Sequence, residues 1–288
     1  MGTHLPFRLG VSSFLTQHWL TPEDIRILAP SPTACVELAS PEMWNVSPQQ
    51  VHETLEALRA SGLELWSVHS PFGNGLDLSS PDEQVRGRTL AALRCAFELA
   101  ADLGCKAVVV HPSAEPIVPE ERGDHLNRAC RSLEKVVAMA QESSIPGAME
   151  PLPRTCLANT ADEVAALLDG LPEGWLGICL DVNHANVGQD LVSFIRRFNS
   201  RIITLHISDN DGVDEKHWLP GEGVINWAEV MRTLREVGYV GPLMYEVGLG
   251  EKGLAQRLQD FGENCRWLSN LGWRTVNPNS KAGVRSLS

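Results

Sequence analysis

Short, nearly continuous apolar runs recur along the chain, separated by longer stretches whose apolar residues return at helical spacing. The runs are Phe7–Ser13, Cys35–Ala39, Leu63–His69, Lys106–His111, Gly147–Glu150, Leu176–Asp181, Ile202–His206 and Pro242–Glu246. Over Ser47–Ala60, Val51, Leu55 and Leu58 line one face of a helix. Thr21-Pro-Glu-Asp, Ser80-Pro-Asp-Glu and Thr160-Ala-Asp-Glu read as helix starts, the last as a capping box. Further helices are predicted over 119–144, 191–198, 226–237 and 254–271. Strands covered on both faces read as continuous rather than alternating hydrophobic segments. Eight of them alternating with helices predict an α/β chain folded as a single-domain (β/α)8 TIM barrel. Its core spans about residues 7–272, and a polar tail from Thr275 frays. An open doubly wound sheet is the alternative, but no Gly-rich phosphate loop follows the first run, so a dinucleotide fold is not expected.

A barrel gathers the C-terminal ends of its strands at one face, where barrel enzymes do their chemistry. Here those ends carry Glu37, His69, His111, Glu150, Asp181, His206 and Glu246, with His184 just past the sixth strand. The densest stretch is 202–227, where a strand hands over to His206, Asp209 and Asp211. Glu215, His217 and a Gly221-Glu222-Gly223 turn follow. One strand-end His or Glu is usually a packed or solvated group. So many nitrogen and oxygen donors at matching strand ends are different, because burying that much acid without a cation is very costly. A donor set of His and carboxylates without Cys fits a divalent ion such as Zn, Mn or Mg.

Composition narrows the partners. The formal charge is −12, and only five lysines and 19 scattered arginines oppose 36 acids, which weighs against nucleic acid. The seven cysteines form no CxxC pair and read as reduced, mostly buried thiols. No apolar run is long enough to span a membrane, and MGTHLPFRLG lacks the form of a secretory signal, so a cytoplasmic protein is expected. The expected partners are a small sugar or polyol and, in a homo-oligomer, further copies of the chain.

The motifs HSPF (69–72), VVVHP (108–112), Glu150, LDVNHAN (180–186), LHISDND (205–211), HWLPGEG (217–223) and YEVG (245–248) follow one another at barrel spacing. In that order they resemble the xylose isomerase-like barrel superfamily of sugar isomerases, epimerases and endonuclease IV. The ketose 3-epimerase branch implies one metal held by Glu150, Asp181, His206 and Glu246, with His184 touching substrate. The endonuclease IV branch implies three zinc ions, adding His69, His111, His184, Glu215 and His217. This chain departs from that branch in carrying Glu215 where the branch has Asp, and in lacking basic loops.

The expected activity is a metal-dependent sugar, sugar phosphate or inosose isomerase or epimerase. A metal makes the proton beside a carbonyl acidic, and Glu150 and Glu246 take and return it. His184, His217, His69, Glu37, Trp19 and Trp218 are candidate substrate contacts, with Phe72 a further wall. A Schiff-base route is disfavoured, since Lys106 opens its strand at the wrong face and only Lys216 lies in a site loop. The alternative is an endonuclease IV-like phosphodiester hydrolase, which would need more metal and a basic rim. A non-catalytic sugar-binding barrel does not call for two metal-bound glutamates.

Overall fold

In the computed structural model, which describes residues 7–73 and 75–271, eight parallel strands close into a barrel in chain order. They are β1 (Leu9–Ser12), β2 (Cys35–Ala39), β3 (Glu64–His69), β4 (Ala107–Val110), β5 (Gly147–Met149), β6 (Leu176–Asp181), β7 (Ile202–Ile207) and β8 (Leu243–Tyr245). β8 pairs back with β1, so no edge is left. The described helices are α1 (Pro22–Leu28), α2 (Pro48–Ser61), α3 (Glu83–Leu103), α4 (Arg122–Ser143) and α5 (Ala161–Leu168). After them come α6 (Val182–Asn186), α7 (Leu191–Arg197), α8 (Trp227–Glu236) and α9 (Leu254–Leu271). The expected frayed tail from Thr275 lies outside the described residues.

Local chemistry sets the helix starts. Thr21 and Ser47 each close a full capping box, with Asp24 and Gln50, and a proline follows each cap. Two expected starts differ. Asp82, not Ser80, caps α3 by accepting from Gln84 N. Thr160 accepts from Glu163 N, but Glu163 does not reach back, because its carboxylate binds Arg122. The short α6 was not expected, because its residues look like a loop.

The core has two layers. Along β4, Val108 and Val110 join the large cluster between strands and helices, while Ala107 and Val109 pack with Ala148 and Cys179 in a small inner cluster. That split follows the two-residue period of a strand. Two register shifts aim the inner residues. One at Val36/Glu37 sets Glu37 opposite Ser67, and one at Ile178/Cys179 sets Asp181 opposite His206. Bulges of this kind re-aim side chains beside active sites.

Candidate active site

Four donors ending four consecutive strands meet above the inner cluster. Ligand atoms of Glu150, Asp181, His206 and Glu246 all lie within 4.8 Å of one another. His206 Nδ1 is the hub, 3.6 Å from Glu150 Oε2, 3.5 Å from Glu246 Oε2 and 4.0 Å from Asp181 Oδ2. His206 Nδ1 and Asp181 Oδ2 are buried with no hydrogen-bond partner among the described residues. Buried polar atoms are normally paired, and two orphans aimed at one point call for a ligand. An ion with bonds of about 2.0–2.2 Å holds its ligands roughly 3–3.5 Å apart, close to the spacing here. The four residues therefore fit a divalent cation.

Beneath the hub lies Glu37, fully buried in β2. His206 Nε2 sits 3.0 Å from its Oε1, and Ser67 Oγ donates to its Oε2 at 2.7 Å. Glu37 is therefore no substrate wall. It accepts a hydrogen bond from the Nε2–H of His206, so that Nδ1 faces the other three donors. A carboxylate behind a ligating histidine fixes its tautomer and ring orientation. Replacing Glu37 with Gln should lower metal affinity about 10–100-fold, read by competition with a chromophoric chelator. Unchanged affinity would mean that something else sets the tautomer.

An outer ring of donors comes from the end of β3, from α6 and from the loops. His69 Nε2 and His111 Nε2 approach Glu150 Oε2 at 3.4 and 3.2 Å, and His184 Nδ1 approaches Glu150 Oε1 at 3.1 Å. Asp181 also caps α6, accepting from His184 N at 2.9 Å, and so places the His184 ring. Further donor groups stand beside the central four, among them His69–His111–Glu150 and His184–Glu215–His217. Glu215 is held between His184 Nε2 at 2.9 Å and an Arg154 guanidinium nitrogen at 2.8 Å. Arg154 also grips Glu115 and Asp214, tying the loops after β4, β5 and β7 together. Both Arg154 and His217 have positive φ, 54° and 49°, strain of the sort that collects at functional sites.

Asp209 and Asp211 have structural duties in the loop after β7. Asp209 pairs its backbone with Trp218. Its carboxylate accepts from Asn210, Gly221 and Ile225 N and from the Trp227 indole. Asp211 Oδ1 accepts from Val213 N and Asp214 N. A Cβ at residue 223 would run into Asn210 O and Asp209 Oδ1, which is why glycine stands there. Trp19 lies in the core, 5% exposed, donating its indole N–H to Thr54 Oγ1 at 2.8 Å. Trp218 is half-exposed at a second hollow that shares His217 and Glu246. Phe72 stands at the mouth, its ring 4.7 Å from that of His111.

The charges are strongly coupled. Burial lifts the Glu246 carboxyl to about 7, and the neighbouring Glu150 charge adds to the effect. Burial opposes ionisation of Glu150 too, but His206 and His111 outweigh it and hold Glu150 well below the usual carboxylate range. Burial works against a charged His184 or His206, yet Asp181, Glu150 and Glu215 around the first, and Cys179 followed by Glu37, Glu246 and Glu150 around the second, raise both. The hydrogen bond from His184, helped by Arg154, lowers Glu215 to about 2. Two carboxylates on one centre, one held ionised and one titrating near neutrality, are suited to move a proton.

Sequence reasoning did not pick out Arg154, Glu115 or Ser67. Arg154 and Glu115 sit in loops with no motif, and Ser67 shows only as a polar residue inside an apolar run.

A family described as xylose isomerase-like TIM barrel matches residues 32–271. An uncharacterized protein of Methanocaldococcus jannaschii is 31% identical over 210 residues, 70% of each chain. The L-ribulose-5-phosphate 3-epimerase UlaE of Escherichia coli is 24% identical over 203 residues, again 70% of each. Among solved structures, a D-tagatose 3-epimerase-like protein superposes with a TM-score of 0.79 at 27% identity, across 91% of this chain and 98% of that one.

Proposed function

On the premise that the chain belongs to the xylose isomerase-like TIM barrel family, we propose that it is a divalent-metal-dependent epimerase or isomerase of a ketose or inosose. The observation that carries this reading is the pair Glu150 and Glu246. Their carboxylates stand 3.6 and 3.5 Å from the same His206 nitrogen, beside an unpaired Asp181 oxygen. A divalent ion held by Glu150, Asp181, His206 and Glu246 would supply the Lewis acidity that makes a proton beside a carbonyl removable. Glu246 and Glu150 then act from two sides of the substrate carbon, one taking the proton and the other returning it. An epimerase returns the proton to the same carbon from the opposite face, and an isomerase returns it to the neighbouring carbon. His184, largely buried, and His217, half-buried, line the cavity and can bind substrate hydroxyls. Phe72 closes the mouth and helps exclude water. The test is washing of solvent deuterium into a ketose.

A second reading, a multi-metal phosphodiester hydrolase, draws on the two outer donor groups. Against it stands Arg154, whose guanidinium is 2.8 Å from Glu215 and competes with any cation for that ligand. The expected outcome is therefore one tightly held ion per chain by elemental analysis. No steeply salt-dependent binding to duplex DNA and no cleavage at abasic sites should follow. Three ions per chain together with such cleavage would move the assignment to the hydrolase.

A further inference from the structure

The cavity over the donor cluster has a volume of about 360 Å³ and two unlike ends. The inner end is the cluster itself. The outer end is lined by Phe72, Leu76 and Leu78 of the loop after β3, by Leu93 of α3 and by Leu152 of the loop after β5. Leu78 and Leu93 are almost wholly shielded from bulk water yet line it, so this end is a closed recess and not an open groove.

The two hydroxyls beside the leucines already have partners. Thr89 Oγ1 accepts from Asp77 N at 2.8 Å and donates to Val85 O at 2.8 Å, and Ser113 Oγ accepts from Leu157 N at 2.8 Å. A sugar hydroxyl seated among the leucines would lose its water without gaining a partner, which is unfavourable. The recess also offers nothing to an anion. Among the described lining residues Arg154 is the one Lys or Arg, and Glu115, Asp214 and Glu215 already hold it. Asp77, Glu115 and Glu215 line the same cavity and would repel a phosphate.

We propose that the substrate is an uncharged keto sugar whose end away from the carbonyl carries an apolar group, such as an ether or the aglycone of a glycoside. The inner end holds the carbonyl carbons and the recess holds the apolar group. A sugar phosphate is disfavoured. This inference rests on the sugar reading above, since the donor cluster fixes which end of the substrate lies inward.

Three probes that differ only at carbon 6 test it: D-fructose, 6-O-benzyl-D-fructose and D-fructose 6-phosphate. Each is titrated calorimetrically into the metal-loaded full chain. The benzyl ether should bind about ten-fold or more tighter than fructose, the gain expected for burying a phenyl ring. The phosphate should bind about ten-fold or more weaker. Leu76→Trp, which fills the recess from its half-buried rim, should erase the difference between the ether and its parent. An ether no tighter than fructose overturns the proposal, as does a lack of measurable binding by all three. So does tighter binding of the phosphate, and its loss in Lys216→Met would place the anion in the neighbouring hollow lined by Lys216 and Arg257. Deuterium exchange into fructose is read separately. Exchange with the wrong binding order sinks this proposal alone, and the right order without exchange sinks the reaction alone.

Discussion

Glu246→Gln and Glu150→Gln, each loaded with metal, should wash solvent deuterium into the carbon beside a ketose carbonyl at least about a hundred-fold more slowly than the unaltered protein. The amide keeps an oxygen for the ion and nearly the volume of the acid, so the barrel should be undisturbed and metal affinity should fall only modestly. Basicity alone is removed. The two positions differ in what they start from. Without the ion, burial and the Glu150 charge disfavour the ionised form of Glu246 and lift its carboxyl to about 7, so it holds a proton more readily than Glu150 does. Glu150 is held ionised by the histidines around it. A single-sided reaction would need one base, and only one variant would then fail. A two-base reaction makes both fail, with label entering from one face in whichever variant keeps a trace of activity. Wild-type exchange rates in both metal-loaded variants would reduce the two glutamates to ligands and end the proton-transfer assignment.

Much of this site was legible because parallel strands in a barrel are covered on both faces. Their ends stand out as the first polar residues after an apolar run, and His69, His111, Glu150, Asp181 and Glu246 all stand there. What sequence could not tell was the direction of side chains inside a run. Glu37 sits between Val36 and Leu38, all three buried, and nothing local says which face of β2 it occupies. The register shift at Val36/Glu37 decides that, and it arises from pairing with β3. A carboxylate inside a fully buried strand does demand a partner, so its burial hinted at a role behind the site rather than at its wall. Asp209 misled for the opposite reason. Short acidic side chains bind nearby backbone N–H groups as readily as cations, and spacing alone does not separate the two uses. Trp19 reads as a candidate substrate contact from sequence, but the Thr54 hydroxyl accepts its indole N–H and places it in the core.

Metal and pH should act on stability together, and their signs can be worked out group by group. Glu246 has its carboxyl raised from 4.5 to about 7, so its contribution is whole below pH 4.5 and fades as pH rises through about 7. His184 and His206 are raised above 6.5, so theirs is whole below that value and is lost as pH rises through their folded values. Glu37, Glu150 and Glu215 are lowered below 4.5, so theirs is present above 4.5 and is lost only as pH falls, for Glu215 near 2. The histidines and the lowered carboxylates favour about pH 4.5 to 6.5, the Glu246 contribution already declines across that range, and chelator-treated protein loses stability toward pH 8. A divalent ion needs the same ligands deprotonated, so its affinity rises over that range. At a thousand times its dissociation constant an ion adds about 4 kcal/mol, roughly seven degrees in Tm for a chain of this size. The gap in Tm between ion-loaded and chelator-treated protein should therefore widen from pH 6 to pH 8. His206→Gln keeps a donor toward Glu37 but removes the imidazole nitrogen that faces Glu150 and Glu246, and should close most of that gap. Differential scanning calorimetry at pH 6, 7 and 8, with and without chelator, measures all of this. A gap that does not change with pH, or one that survives in His206→Gln, would place the stabilising ion somewhere other than among these four strand ends.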